Sequence, residues 1–258
     1  MIDIHCHILP GIDDGPPTLE GSLALARSAV AAGTREIVAT PHVTWDHTHN
    51  TAVAIAARVA ELETALAREQ IPLRLHTGGE IAMTRALELA DEELVALRLG
   101  GPQGTHLLVE CPLSPAAHGF EPILGMLRSR GHAIVLAHPE RCPAFQRDPA
   151  AYERLVAQGM LGQVTAGALV GRFGRAVQEL GEHLVREGLA QIVASDGHSA
   201  ERRQPSIGAE IAEAGFGEQA DWLGRAVPHA VLTGGAVPPP PAMPPRPRGG
   251  PLRKLFSR

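Results

Sequence analysis

Met1-Ile-Asp-Ile-His-Cys-His7 opens the chain as a short apolar run that ends in two imidazoles two residues apart. Side chains alternate along a strand with a period of two, so His5 and His7 point to one face and Cys6 to the other. Taken alone, a polar strand end facing solvent would look the same. The reading gains force because other segments of strand character finish in the same way. His42 follows Val38-Ala-Thr-Pro41, Glu80 follows Thr77-Gly-Gly79, and Glu110 ends Leu107-Leu-Val109. His138 ends Ile134-Val-Leu-Ala137, and Asp196 with His198 ends Ile192-Val-Ala-Ser195. Strands are expected near 2–7, 36–40, 73–78, 106–110, 133–137, 162–165 and 191–194, and all but the sixth end in a metal-ligating residue type.

Between these strands lie alanine- and leucine-rich stretches of helical period, among them 19–32, 52–69, 121–130 and 174–187. That alternation predicts βα units around a parallel sheet. Gly33, Gly131, Gly159 and Gly188 punctuate helix ends, and Asp148-Pro149 reads as a cap followed by a first turn. Periodicity alone allows either an open doubly wound sheet or a closed barrel. The ligands favour the barrel, because in a β/α barrel all C-terminal strand ends lie on one rim, where residues remote in sequence converge.

With 258 residues, 44% of them hydrophobic, the chain fits one α/β domain of barrel size. Three cysteines, Cys6, Cys111 and Cys142, leave an odd thiol and argue for a reducing compartment. No basic leader precedes the first apolar segment, and no apolar run reaches the roughly 18 residues a membrane span needs, so a cytoplasmic location without a transmembrane segment is expected. From Val237 the composition turns to Pro238-Pro-Pro-Pro-Ala-Met-Pro-Pro245, then Arg246, Arg248, Arg253, Lys254 and Arg258. That segment, 237–258, reads as a disordered Pro/Arg-rich tail behind a domain spanning 1–236. The formal charge of −5 leaves about −10 on the domain, which speaks against a nucleic-acid partner.

Asp13 and Asp14 lie in the loop after the first strand; both fit an Asp-Gly turn, and Asp14 is the preferred extra carboxylate. Imidazoles mixed with carboxylates, without thiolates at zinc-finger spacing, suit manganese, iron, zinc or cobalt in an open catalytic site. The run Asp46-His47-Thr48-His49-Asn50 joins no such pattern and reads as polar loop. Cys6 reads as core, and so does Cys111, although a register slip of one residue would exchange it with Glu110. Arg141 and Arg203, in loops after His138 and His198, are candidates to hold phosphate through bidentate guanidinium contacts, with Arg202 competing for the second role.

Ile2 to Gly15, Ala39-Thr-Pro-His42, Gly78-Gly-Glu-Ile81, Ala137-His-Pro-Glu-Arg141 and Ala194-Ser-Asp-Gly-His-Ser199 together resemble the PHP (polymerase and histidinol phosphatase) superfamily. The match is best with its capsule-locus branch of manganese-dependent protein-tyrosine phosphatases, and it spans roughly residues 1–235. The resemblance implies a distorted seven-stranded β/α barrel with up to three divalent cations. It would place His5, His7, Glu80 and Asp196 on one; Glu80 as a bridge, Glu110 and His138 on a second; and Asp14, His42 and His198 on a third. It makes Arg141 and Arg203 the phosphate holders. It further implies, as substrate partner, the phosphotyrosine-bearing C-terminal cluster of a bacterial tyrosine autokinase that governs capsule and exopolysaccharide assembly. The chain departs from that branch in Gly197, where alanine is frequent, and in its tail.

The reaction so implied is in-line hydrolysis of a phosphate ester, with cations activating water. Cysteine chemistry of the Cys-x5-Arg type is excluded, since the sixth residue after each cysteine is Ile12, Ala117 or Asp148. Ser195 has no separate base once the ligands are assigned. A histidinol-phosphatase-type enzyme, a nuclease and a non-catalytic kinase partner are the competing readings. An exposed helix face leaves a homo-oligomer open.

Overall fold

The computed structural model describes residues 1–114 and 119–244. It is an α/β fold in which every named strand pair is parallel. One sheet has the order β1 (Ile2–Cys6), β2 (Glu36–Ala39), β4 (Arg74–Thr77). The other runs β3 (His42–Val43), β5 (Glu80–Ala82), β6 (His106–Glu110), β7 (Ala133–Ala137), β8 (Leu161–Thr165), β9 (Ile192–Ala194). All seven expected strand regions are present. Two of them are each followed by a short further strand outside the expected regions: Thr40-Pro41 separates β2 from β3, and Gly78-Gly79 separates β4 from β5. Proline has no N–H to give the ladder, and a glycine pair supplies no side chain to pack, so both interrupt a strand where it bends. A parallel bridge from Cys6 to Gly197 sets the loop after β9 beside β1.

Most strands are buried on both faces, as parallel strands covered by helices are; β1 and β8 are buried throughout, whereas β4 leaves Arg74 exposed. Helices lie near their expected bounds, at Leu19–Ala31, Ala52–Arg68, Glu121–Ser129 and Arg175–Arg186. Within Ala52–Arg68, Ile55, Val59, Leu62 and Leu66 recur at helical spacing and are buried. Thr18 and Thr51 cap the first two helices with their side chains. Asp148 stands at the expected cap position without a side-chain bond to its helix, and the four punctuating glycines all have positive φ. Among the described residues no helix is long and apolar enough to cross a membrane.

The segment expected to be disordered from Val237 is held to the body as far as Pro244. Val237 and Met243 pack on the core. Trp222 donates to the Pro238 carbonyl at 3.0 Å, Gln219 to Ala242 at 2.6 Å and Arg186 to Pro244 at 3.3 Å. A proline-rich strand has few N–H groups but free carbonyls, and its stiffness leaves little entropy to lose on docking. The basic residues from Arg246 onward lie outside the described residues.

Candidate metal centre

His5 and His7 come from the end of β1, and each is oriented by a hydrogen bond to its Nδ1. His5 Nδ1 meets Gln163 Oε1 at 2.8 Å, and His7 Nδ1 meets Asp13 Oδ2 at 2.8 Å. Both acceptors take the Nδ1 proton, so the Nε2 lone pairs turn inward and stand 3.3 Å apart. Two lone pairs this close repel unless positive charge lies between them. Carboxylates converge on the same point. His5 Nε2 is 3.4 Å from Glu80 Oε2 and 3.5 Å from Asp196 Oδ1; His7 Nε2 is 3.3 Å and 3.6 Å from the same atoms. Four ligands in a tetrahedron about 2.1 Å from one ion are roughly 3.4 Å apart, so these four side chains fit a divalent cation.

Glu80 faces two ways. Its Oε1 meets His138 Nε2 at 2.8 Å, while Oε2 also lies 3.1 Å from His42 Nδ1. Glu110 joins His42 and Glu80 in a second group of ligand atoms, and His7, Asp14, His42 and His198 form a third. There, Asp14 Oδ1 is 3.4 Å from His42 Nε2 and 3.2 Å from His198 Nε2. His198 is oriented through its own Nδ1, which donates to the Asp196 carbonyl at 2.9 Å. All nine expected ligands therefore meet at one end of the strands. Cys111 is buried in the core beside them, and Glu110, not Cys111, faces the cluster.

The field within the cluster is strongly negative. Burial and the neighbouring Glu80 charge push the Glu110 carboxyl up to about 7. Burial opposes a charged His7, but its bonds to Asp13 and Glu80 prevail and raise it to about 9. Such a site gains from cations for the same reason that its imidazoles gain from protons. His138 and Asp196 also adopt left-handed backbone, φ 33° and 50°, a conformation non-glycine residues hold only where their surroundings impose it.

Arg141 donates to Asp196 Oδ2 at 2.5 Å, and Arg203 donates to the same oxygen and stands 3.0 Å from His198 Nε2. Both guanidiniums thus lie at the edge of the cluster. Arg202 is exposed. The His47–His49 run joins no ligand group among the described residues, but it has work in the loop: His49 and Asn50 both meet the Ile12 carbonyl, at 3.2 and 3.0 Å.

Gln163 and Asp3 escape the sequence reading as supporting residues, and Asp13 enters it only as the less favoured of two loop carboxylates. Asp13 is turned inward, where it also accepts from the Gly15 and His42 N–H groups. Gln163 sits on the one strand without a terminal ligand, and nothing in its local sequence marks it. Asp3 takes the Ser195 hydroxyl at 2.5 Å and the Ser195 N–H at 3.0 Å, which pins the 195–198 loop to β1 and leaves Ser195 a structural hydroxyl. Gly15 is required as glycine, since a Cβ there would stand 2.2 Å from the His7 carbonyl oxygen. Asp13→Asn is expected to weaken cation binding by about 10- to 100-fold through misorientation of His7. Titration calorimetry checks this, and wild-type affinity in the variant would refute the orienting role.

Residues 1–220 match the family described as capsular polysaccharide synthesis, CpsB/CapC. The chain is similar to the tyrosine-protein phosphatase YwqE of Bacillus subtilis (strain 168), at 36% identity over 205 residues and 79% of each chain. It is also similar to the putative tyrosine-protein phosphatase CapC of Staphylococcus aureus, at 29% identity over 79% of each. Among solved structures it superposes, with a TM-score of 0.83 and 31% identity, on one from a study of YwqE from B. subtilis and CpsB from Streptococcus pneumoniae, described there as unique metal-dependent tyrosine phosphatases. That superposition covers 96% of this chain and 100% of the other. A D-hydantoinase shares the fold alone, at a TM-score of 0.50 and 13% identity, over 89% of this chain and 69% of that one.

Proposed function

The chain belongs to the CpsB/CapC family of capsular polysaccharide synthesis, and from that premise we propose that it is a manganese-dependent protein-tyrosine phosphatase of the PHP superfamily. Its substrate is the phosphorylated C-terminal tyrosine cluster of a bacterial tyrosine autokinase controlling capsule or exopolysaccharide synthesis. The observation that carries the reading is the pair of inward-facing imidazole nitrogens met by two carboxylates, with Arg141 and Arg203 at its edge. Residues 1–236 are the catalytic unit and 237–258 its tail. The two sheets make one distorted seven-stranded barrel: β2 with β3 and β4 with β5 each count as one broken strand, and the Cys6–Gly197 bridge supports closure between the last strand and the first.

His5, His7, Glu80 and Asp196 hold one cation, Glu80, Glu110 and His138 a second, and Asp14, His42 and His198 a third. The two-way Glu80 carboxylate supports its role as the bridge. Manganese is the cation proposed, and iron, zinc and cobalt suit the same donors. When bound, the cations lower the pKa of water to supply a nucleophile near neutrality and draw charge from the phosphate. The protein's own groups do the rest. Arg141 and Arg203 bind the non-bridging phosphate oxygens, and Asp196, which they share, sets the angle between them. A tyrosyl leaving group, with a pKa of about 10, departs without a strong general acid. No thiol competes as nucleophile, because burial raises Cys6, Cys111 and Cys142 above the ordinary range.

The test is an assay of manganese-loaded protein against a phosphotyrosine peptide, histidinol phosphate and single-stranded DNA. Phosphotyrosine is expected to be preferred; preference for histidinol phosphate would overturn the substrate assignment. Arg203→Ala is expected to lower kcat on the order of 10²-fold, the cost of one preorganised donor to a developing charge. The same loss from Arg202→Ala would overturn the choice between the two.

A further inference from the structure

A cleft of about 380 Å³ opens beside the ligand cluster, between the start of the first helix and the loop after His198. Its two ends differ in chemistry. Asp14, His198 and Arg203 form the polar end, and Asp14 is the one exposed carboxylate of the ligand set, so the cluster is open to solvent here. The rest of the lining includes Pro16, Pro17, Gly21 and Ala24 on the helix side, and Ser199, Ala200, Glu201 and Arg202 on the side of the loop after His198. The helix-side side chains are small or rigid, and none carries a polar group. The wall is braced: a Cβ on Gly21 would stand 3.1 Å from Pro16 Cβ, so the Pro16 ring lies close against the bare helix backbone. Gly11 N–H donates to the Pro16 carbonyl at 2.8 Å, tying the same wall to the ligand loop.

We propose that this cleft is the slot for the aromatic ring of an aryl phosphomonoester, with phosphate at the Asp14, His198 and Arg203 end and the ring against Pro16 and Pro17. The assignment rests on the phosphatase reading and adds to it the residue that selects the substrate. A flat ring brings large apolar area at low conformational cost, and its face suits pyrrolidine walls. Ala24 is the selector: it lines the slot from a half-buried position on the helix, and any larger side chain there takes the space of the ring.

Ala24→Leu keeps a good helix former and fills the slot. With manganese-loaded protein, the KM for p-nitrophenyl phosphate and for a phosphotyrosyl peptide is expected to rise at least about tenfold, more than kcat falls, as misfit in an apolar pocket does. Calorimetry supplies a readout free of turnover. The Kd of a peptide bearing non-hydrolysable phosphonomethyl-phenylalanine is expected to rise by a similar factor, and that of inorganic phosphate to stay within about twofold. Pro17→Ala, at an exposed position that tolerates change, is expected to raise the same KM by about threefold through loss of one wall. It serves if Ala24→Leu does not fold. Unchanged phosphonate-peptide affinity in either folded variant overturns the slot, and so does an equal loss of inorganic phosphate affinity. A wild type inactive on every aryl phosphate would instead overturn the phosphatase reading.

Discussion

Glu80→Gln is expected to reduce kcat/KM on the order of 10³-fold, a loss of about 4 kcal/mol in transition-state stabilisation. The substitution keeps the shape of the side chain and removes its charge. Glu80 is buried and has imidazoles on both oxygens, His138 on one side and His5, His7 and His42 on the other. An amide cannot serve all of them: its NH2 end offers protons where a cation needs lone pairs. Bound manganese per chain, counted by elemental analysis after desalting, should fall together with the rate. Activity within about threefold of wild type would remove Glu80 from the centre, since even one uncharged donor at a reacting site is worth more than that.

Removal of cations by a chelator is expected to abolish hydrolysis and to lower Tm by roughly 5–10 °C. The shift follows from linkage: a ligand at about 100 times its Kd stabilises the folded state by about 2.7 kcal/mol, and 1 kcal/mol moves a domain of this size by about 2–4 °C. The direction is set by the carboxylates, because the charge on buried Glu80 opposes ionisation of the half-buried Glu110 until a cation lies between them. Reloading the stripped protein in turn with manganese, iron, zinc and cobalt, read by both rate and Tm, identifies the cation that supports the chemistry. A chelated protein with undiminished rate would exclude the metal centre as the catalytic group.

Much of this architecture is legible in the chain itself, for a physical reason. Strand ends and metal ligands are local features, and a parallel α/β arrangement turns six ligand-bearing strand ends into one cluster. What escapes local reading are the choices made by contacts across the fold. Asp13 and Asp14 are neighbours of one chemical type, yet Asp13 points inward to His7 while Asp14 faces His42 and His198. The loop decides between them, through the Gly15 and His42 N–H groups that Asp13 accepts. Gln163 orients His5 from 158 residues away. The short strands β3 and β5 lie beyond the regions expected at 36–40 and 73–78, because Pro41 and Gly78-Gly79 read locally as strand ends. The docking of Val237–Pro244 depends on donors from Arg186, Gln219 and Trp222, and composition records none of them.

The pairing of the 195–198 loop with β1 also has a meaning for how the protein is made. His5 and His7 leave the ribosome about 190 residues before Asp196 and His198, and at typical synthesis rates that interval is roughly 10 to 40 s. During that time the N-terminal histidines have neither the Asp196 carboxylate nor the backbone bonds to residues 196 and 197 that align them. Completion of the candidate ligand set is therefore tied to completion of the chain: a nascent fragment ending before β9 would hold Glu80, Glu110 and His42 but lack Asp196 beside His5 and His7, and His198 beside Asp14.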